Sequence, residues 1–155
     1  NAERFLISTI IQKAIAQMAT VYESKNILIK FTPSEEFFAI ADTEMTLTVV
    51  RNLLSNAAKF SDAGAQVWIN QKATDKTIEV SVIDNGRGIE TESLNKLFDI
   101  SQTRSSRGTF NEKGSGLGLL LCKELLEKMH GSIAISSELG MGTIVTITLP
   151  RGLSI

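Results

Sequence analysis

The stretch from Asp84 to Gly118 constrains this chain more than any other feature. It is rich in Gly, Ser, Asn, Arg and Lys and poor in core-sized side chains, apart from a short helix predicted around Leu94 to Phe98. Loops longer than about 12–15 residues are uncommon in a compact domain unless they serve as lids or binding loops. The stretch therefore predicts a mobile, functional loop, set between a strand that ends at Ile83 and a helix that begins near Leu117.

The flanking segments supply the core. Apolar residues recur at helical spacing from Phe5 through Ile7, Ile10, Ile11, Ala14, Ile15 and Met18, which predicts an N-terminal helix over residues 1–20. Ile27 to Phe31 and Phe37 to Ala41 have strand character, and Pro33 and Ser34 break the pattern between them. Asp42 or Thr43 is placed to cap a long helix reaching Phe60. Gln66 to Asn70 and Thr77 to Ile83 read as a hairpin, and so do Ile133 to Ser136 and Thr143 to Leu149 around Gly140-Met141-Gly142. Between the hairpins, Leu117 to Met129 is helical and ends at Gly131. The prediction is an α+β domain over residues 1–155, with a mixed, mostly antiparallel sheet covered by helices on one face.

Charge and composition exclude several classes. Sixteen basic and seventeen acidic residues give a formal net charge of -1, which provides no general attraction to nucleic acid or to an anionic membrane, so any phosphate must be held locally. The single cysteine, Cys122, lies in a run of leucines and predicts core packing in a reducing compartment. No apolar run reaches the roughly 18 residues needed to cross a bilayer. These features predict a cytoplasmic domain, and the start at Asn1 predicts that it belongs to a longer protein.

Three clusters carry chemistry. Asn52, Asn56 and Lys59 follow at spacings of four and three, on one polar face of an otherwise apolar helix. Two carboxamides and an ammonium suit a hydrated Mg²⁺ with phosphate oxygens, although a solvated helix face would look the same. Asp84-Asn85-Gly86-Arg87-Gly88-Ile89 follows a strand, where an aspartate can accept from an amino group and glycines let the backbone approach a flat ligand. Alone it would read as an ordinary turn. Gly114-Ser115-Gly116-Leu117-Gly118 leads into a helix, so its bared N–H groups and the positive helix end make an anion site. It lacks both the Lys-Ser/Thr of a P-loop and the strand that precedes a dinucleotide site.

Taken in order, these clusters resemble the signature boxes of the Bergerat-fold ATP-binding superfamily, shared by gyrase, MutL proteins, heat-shock chaperones and sensor histidine kinases. Arg51 to Phe60 resembles the N box of histidine kinases, Asp84 to Ile89 the G1 box, Leu97-Phe98 the F box and Gly114 to Leu119 the G2 box. Gly140 to Thr143 falls where the last glycine motif belongs. The resemblance runs from about Ile27 to Pro150 and implies a two-layer α/β sandwich with a mobile ATP lid at about 95–116.

The resemblance implies ATP and Mg²⁺ as cofactors. Asn56 would coordinate Mg²⁺ with support from Asn52, Lys59 would contact phosphate, and Phe60 would pack beside adenine. Asp84 would take the adenine amino group, with Gly86, Gly88 and Thr143 completing the base pocket and Ile89 and Leu97 lining it. Gly114, Ser115, Gly116, Leu117 and Gly118 would anchor the lid, and Arg87 would help to hold phosphates. The catalytic residues would be Asn52, Asn56 and Lys59.

Position 52 separates the chemistries within that superfamily. Gyrase and the chaperones have a glutamate there as a general base, whereas an amide cannot accept a proton at neutral pH. Asn52 therefore predicts poor hydrolysis and transfer to a histidine, whose neutral imidazole is already nucleophilic. The only histidine, His130, lies at a helix end away from the phosphates and predicts a structural role. By the resemblance, the phosphoacceptor sits on a separate dimerisation domain, which would pass the group to a response regulator. The parent would be a homodimer anchored in the cell membrane. An ATP-dependent interaction module without transfer, and an ATPase, are the rival readings.

Overall fold

The computed structural model describes residues 1–90, 92–93, 106–107, 113–114 and 118–152. The helix expected at Leu94 to Phe98 and most of the expected lid lie outside them. The described elements are β1 (Glu3–Leu6), α1 (Ile7–Ser24), β2 (Leu28–Lys30), β3 (Phe38–Ala41), α2 (Thr43–Phe60), β4 (Gln66–Ala73) and β5 (Thr77–Asp84). They continue with β6 (Ser106–Arg107), β7 (Lys113–Gly114), α3 (Gly118–Lys128), β8 (Ser132–Glu138) and β9 (Gly142–Pro150).

Five strands form one sheet in the order β2-β4-β5-β9-β8. The β2–β4 pair is parallel and the rest are antiparallel. The two hairpins read from the sequence are β4–β5 and β8–β9, joined through β5–β9. Strict alternation in β5 buries Ile78, Val80, Val82 and Asp84 on one face and leaves Thr77, Glu79, Ser81 and Ile83 half-buried on the other. The inner face, with Val67, Ile69, Val145, Ile147 and Leu149, meets the buried residues of α1, α2 and α3 in one core. Helix α2 packs between α1 and α3. The mixed sheet with its helical layer is the α+β sandwich expected.

Helix α2 is specified at both ends. The Asp42 side chain accepts from the Met45 N–H at 3.0 Å, and the Glu44 and Lys59 charges stand at the helix ends that favour them. Its stripe of Leu47, Val50, Leu54, Ala57 and Ala58 is buried, and full burial of each large side chain is worth about 1.5–3 kcal/mol. Cys122 is buried as expected, and desolvation pushes its thiol up to about 12.

The structure corrects the helix expected over residues 1–20. Residues Glu3–Leu6 form β1, antiparallel to β3 with Phe5 opposite Ala39, and α1 runs instead from Ile7 to Ser24. Phe5 stands two residues before Ile7, a strand's interval rather than a helix's, and the pairing with β3, far along the chain, holds it there. Arg4 stacks over the Phe38 ring at 4.3 Å, and the Gly152 N–H donates to Phe38 O at 2.7 Å, so both ends of the described chain meet at β3.

Candidate functional site

The site builds from the C-terminal half of α2. Asn52 Nδ2 donates to Thr48 O at 2.9 Å, one turn back, which leaves Asn52 Oδ1 to face outward from the helix. Gly118, the first residue of α3, lies against this face. A Cβ placed on it would stand 3.8 Å from Asn52 Oδ1 and 3.9 Å from Asn56 Nδ2. The positive end of α3 thus comes to the two carboxamides.

The last turn of α2 adds positive charge. Lys59 Nζ lies 4.9 Å and Arg87 Cζ 4.8 Å from the centre of the Phe60 ring, so the ring serves two cations. Phe60 O accepts from the Arg87 N–H at 3.3 Å, which ties the loop after β5 to the end of α2.

Asp84 ends β5 on its inner face and is 6% exposed. Desolvation raises its pKa from the ordinary carboxylate value, against the lowering effect of hydrogen bonds from the Gly86 and Thr143 backbone. Thr143 is its register partner on β9, so the two side chains are neighbours on one face. The glycines that follow serve packing within the protein. A Cβ on Gly86 would collide with Phe60 O, and one on Gly88, at φ 76°, with Glu138 O. The room read from the sequence as room for a flat ligand is filled here by the chain's own backbone.

Three contributors escaped the sequence reading. Ser137 Oγ on β8 accepts from the Ile89 N–H at 2.8 Å, lies 2.7 Å from Thr143 Oγ1 and reaches Gly142 O at 3.0 Å. Tyr22 in α1 and Lys25 at its C-cap are both buried: the Tyr22 hydroxyl donates to Leu54 O and Lys25 Nζ to Ala58 O, each at 2.7 Å. Burial, with the Asp84 charge as a smaller cause, pushes the Tyr22 phenol up, so it stays a donor. A lone Ser in a Ser-rich strand, or a Lys at a helix end, carries no signal of such roles.

Asn52, Asn56 and Gly118 therefore come together, as do Lys59, Phe60 and Arg87, and Asp84, Gly86 and Thr143, with Ile89 tied in through Ser137. Gly114 pairs with Ser106 in the β6–β7 ribbon. Leu97, Ser115, Gly116 and Leu117 lie outside the described residues. A cleft of about 510 Å³ between the 31–37 segment and β4 shares none of the predicted site residues.

Residues 41–153 match the family described as histidine kinase-, DNA gyrase B-, and HSP90-like ATPase. The chain belongs to that family. Sensor protein EvgS of Escherichia coli (strain K12) is 34% identical over 155 residues, covering 96% of this chain and 13% of EvgS. The adaptive-response sensory kinase SasA of Parasynechococcus marenigrum (strain WH8102) is 30% identical over 152 residues, covering 97% of this chain and 39% of SasA. Among solved structures, the mycobacterial sensor histidine kinase MprB superposes with a TM-score of 0.80 at 25% identity, covering 97% of this chain and 98% of that one. Within the family the chain is thus an ATP-binding domain of the sensor-histidine-kinase type, and it spans well under half the length of either sensor protein. Among the described residues, no helix is long and apolar enough to cross a membrane.

Proposed function

We propose that this domain transfers the γ-phosphoryl of Mg·ATP to a histidine on a separate dimerisation domain of the same parent protein, which passes it to a response regulator. The observation that carries this reading is the approach of Gly118 to Asn52 and Asn56, which sets a helix N-terminus and two carboxamides around one space. The donor set fits Mg·ATP: amide oxygens suit a hard cation, and the α3 end, Lys59 and Arg87 suit phosphate. Bound Mg²⁺ would neutralise charge that develops on the transferred group.

In this reading Asn56 holds the metal with support from Asn52, and Lys59 and Arg87 hold phosphate oxygens. Phe60 packs beside the base, and Asp84 accepts from the adenine amino group. Ile89, Thr143 and Leu97 complete the base pocket, and Gly86 and Gly88 serve it through the close backbone packing on Phe60 and Glu138 that shapes the loop after Asp84. Residues 114–118 anchor a lid at about 95–116, and the domain is the whole of residues 1–155. Asn52 leaves water unactivated, so the phosphoryl group waits for an imidazole brought in by the partner domain. We place the domain in the cytoplasm, on a homodimeric parent anchored in the cell membrane.

The test is to incubate the chain with γ-labelled ATP and Mg²⁺, with and without the parent's helical domain, and to follow free phosphate and protein-bound label. Acid-labile, base-stable label on the helical domain with little free phosphate is the expected result. Rapid phosphate release without transfer would establish an ATPase instead, and binding with neither would leave an ATP-dependent interaction module.

A further inference from the structure

We propose that Ser137 fixes the polarity of the Thr143 hydroxyl and thereby makes Thr143 a determinant of specificity for amino-bearing purines. The proposal rests on the reading of Asp84 as the base-recognition group.

A serine hydroxyl has one hydrogen to give and two lone pairs to receive. Ser137 Oγ has three polar neighbours: the Ile89 N–H at 2.8 Å, Gly142 O at 3.0 Å and Thr143 Oγ1 at 2.7 Å. Ile89 can only donate and Gly142 O can only accept. All three contacts become hydrogen bonds in one arrangement alone, in which Ser137 receives from Ile89, gives to Gly142 O and receives from Thr143. The opposite sense at Thr143 leaves the Gly142 contact unmade, and this pair is half-buried, where an unmade bond is costly.

The single Thr143 hydroxyl proton is thereby spent on Ser137. What Thr143 Oγ1 offers to anything else is acceptor lone pairs only. Its cross-strand neighbour is Asp84, whose carboxylate already receives backbone N–H groups from Gly86 and Thr143 and otherwise accepts only. Two adjacent acceptors with no donor suit a group that gives two protons, as an exocyclic amine does, or an amine and a bridging water. They oppose a carbonyl oxygen. Ser137 touches no ligand in this scheme. It is a positioning residue that acts through Thr143, and it also holds the Ile89 end of the loop that follows Asp84.

The discriminating measurement is the ratio of dissociation constants for Mg·ITP and Mg·ATP, which differ in presenting a keto or an amino group. Titration calorimetry would compare the natural chain with Ser137→Ala, Ser137→Thr and Thr143→Val. Ser137→Ala frees the Thr143 proton to donate to a keto oxygen, so the ITP/ATP ratio falls about tenfold, the value of one hydrogen bond. Ser137→Thr keeps the hydroxyl and keeps the ratio. Should Ser137→Ala not fold, Thr143→Val, which leaves Ser137 bonded to Ile89 and Gly142, gives a similar fall. Equal weakening of both nucleotides at an unchanged ratio would reduce Ser137 to a structural brace and overturn the proposal, as would an unchanged ratio in Thr143→Val. If the natural chain binds neither nucleotide, the underlying ATP reading fails instead.

Discussion

The main-chain N–H of Gly86 donates to Asp84 Oδ1 at 2.8 Å, and the carboxylate so held is almost wholly withdrawn from water. Desolvation outweighs that bond and raises the Asp84 pKa above its ordinary value of 3.8. The folded chain thus binds this proton more tightly than the unfolded chain does. The resulting stability is fully present below the ordinary carboxylate pKa and is lost as pH rises through the raised, folded-state value. Asparagine has no such proton. The melting temperature of Asp84→Asn relative to the natural chain should therefore climb from acid to neutral pH, as measured by thermal scans across that range. The same substitution should weaken ATP binding by about 10–100-fold, since it removes a charged acceptor. A melting difference that does not change with pH would refute the assignment of a costly buried charge.

His130 stands at φ 62°, the left-handed region, and ends α3 by backbone bonds: its N–H donates to Glu127 O at 3.2 Å and the Gly131 N–H to Leu126 O at 2.7 Å. The side chain is exposed and makes no part of the cap. Left-handed backbone costs a non-glycine residue about 1–2 kcal/mol, so His130→Gly should stabilise the domain by about 1 kcal/mol in denaturant titration. Phosphotransfer to the helical domain should continue unchanged, since the proposed acceptor lies on that domain and not at His130. Gly131→Ala should do the opposite. Its Cβ would collide with Thr148 O on β9, and the clash should cost about 1–3 kcal/mol.

In the proposed function, Asn52 decides whether water is activated. Its Oδ1 would stand 3.8 Å from a Cβ placed on Gly118, and its Nδ2 is spent on Thr48 O. Asn52→Asp puts a base at that place and should raise phosphate release in the presence of Mg·ATP by about 100-fold, a typical contribution of a positioned base. Asn56→Ala should instead weaken Mg·ATP binding by about tenfold and leave metal-free nucleotide binding much less affected, which parallel titrations with and without a chelator would read. Unchanged phosphate release in Asn52→Asp would show that position 52 does not face the attacking group.

Local signals made α2 legible in the sequence. The Asp42 cap, the apolar period and the Asn52, Asn56 and Lys59 face all lie within one helix. The hairpins were legible from alternation and turn residues. What the sequence hid was non-local. Strand β1 exists because β3 is available to pair with it, and no periodicity in four residues can announce a partner that far along the chain. Ser137, Tyr22 and Lys25 act through backbone groups of Ile89, Gly142, Leu54 and Ala58, and any residue type can supply a backbone carbonyl or N–H. The glycines after Asp84 were recognised for their freedom, but the neighbours that need it, Phe60 and Glu138, come from other elements.

Tyr22 and Lys25 act on one short stretch of helix. Leu54 O and Ala58 O, the two acceptors, are one turn apart, on either side of Asn56 and just before Lys59 and Phe60. Ala58 O also receives the Ser61 N–H at 3.3 Å, so it keeps a partner when Lys25 is replaced, whereas the Tyr22 bond is a buried neutral one. Tyr22→Phe and Lys25→Met should each cost about 1 kcal/mol, or about 2–4 °C in melting temperature for a domain of this size. Their effects should not add. Each loss lets the same turn of α2 loosen, so a double-mutant cycle in denaturant should show a coupling of at least about 0.5 kcal/mol. Simple additivity would mean that α1 grips α2 at two independent points rather than as one bracket.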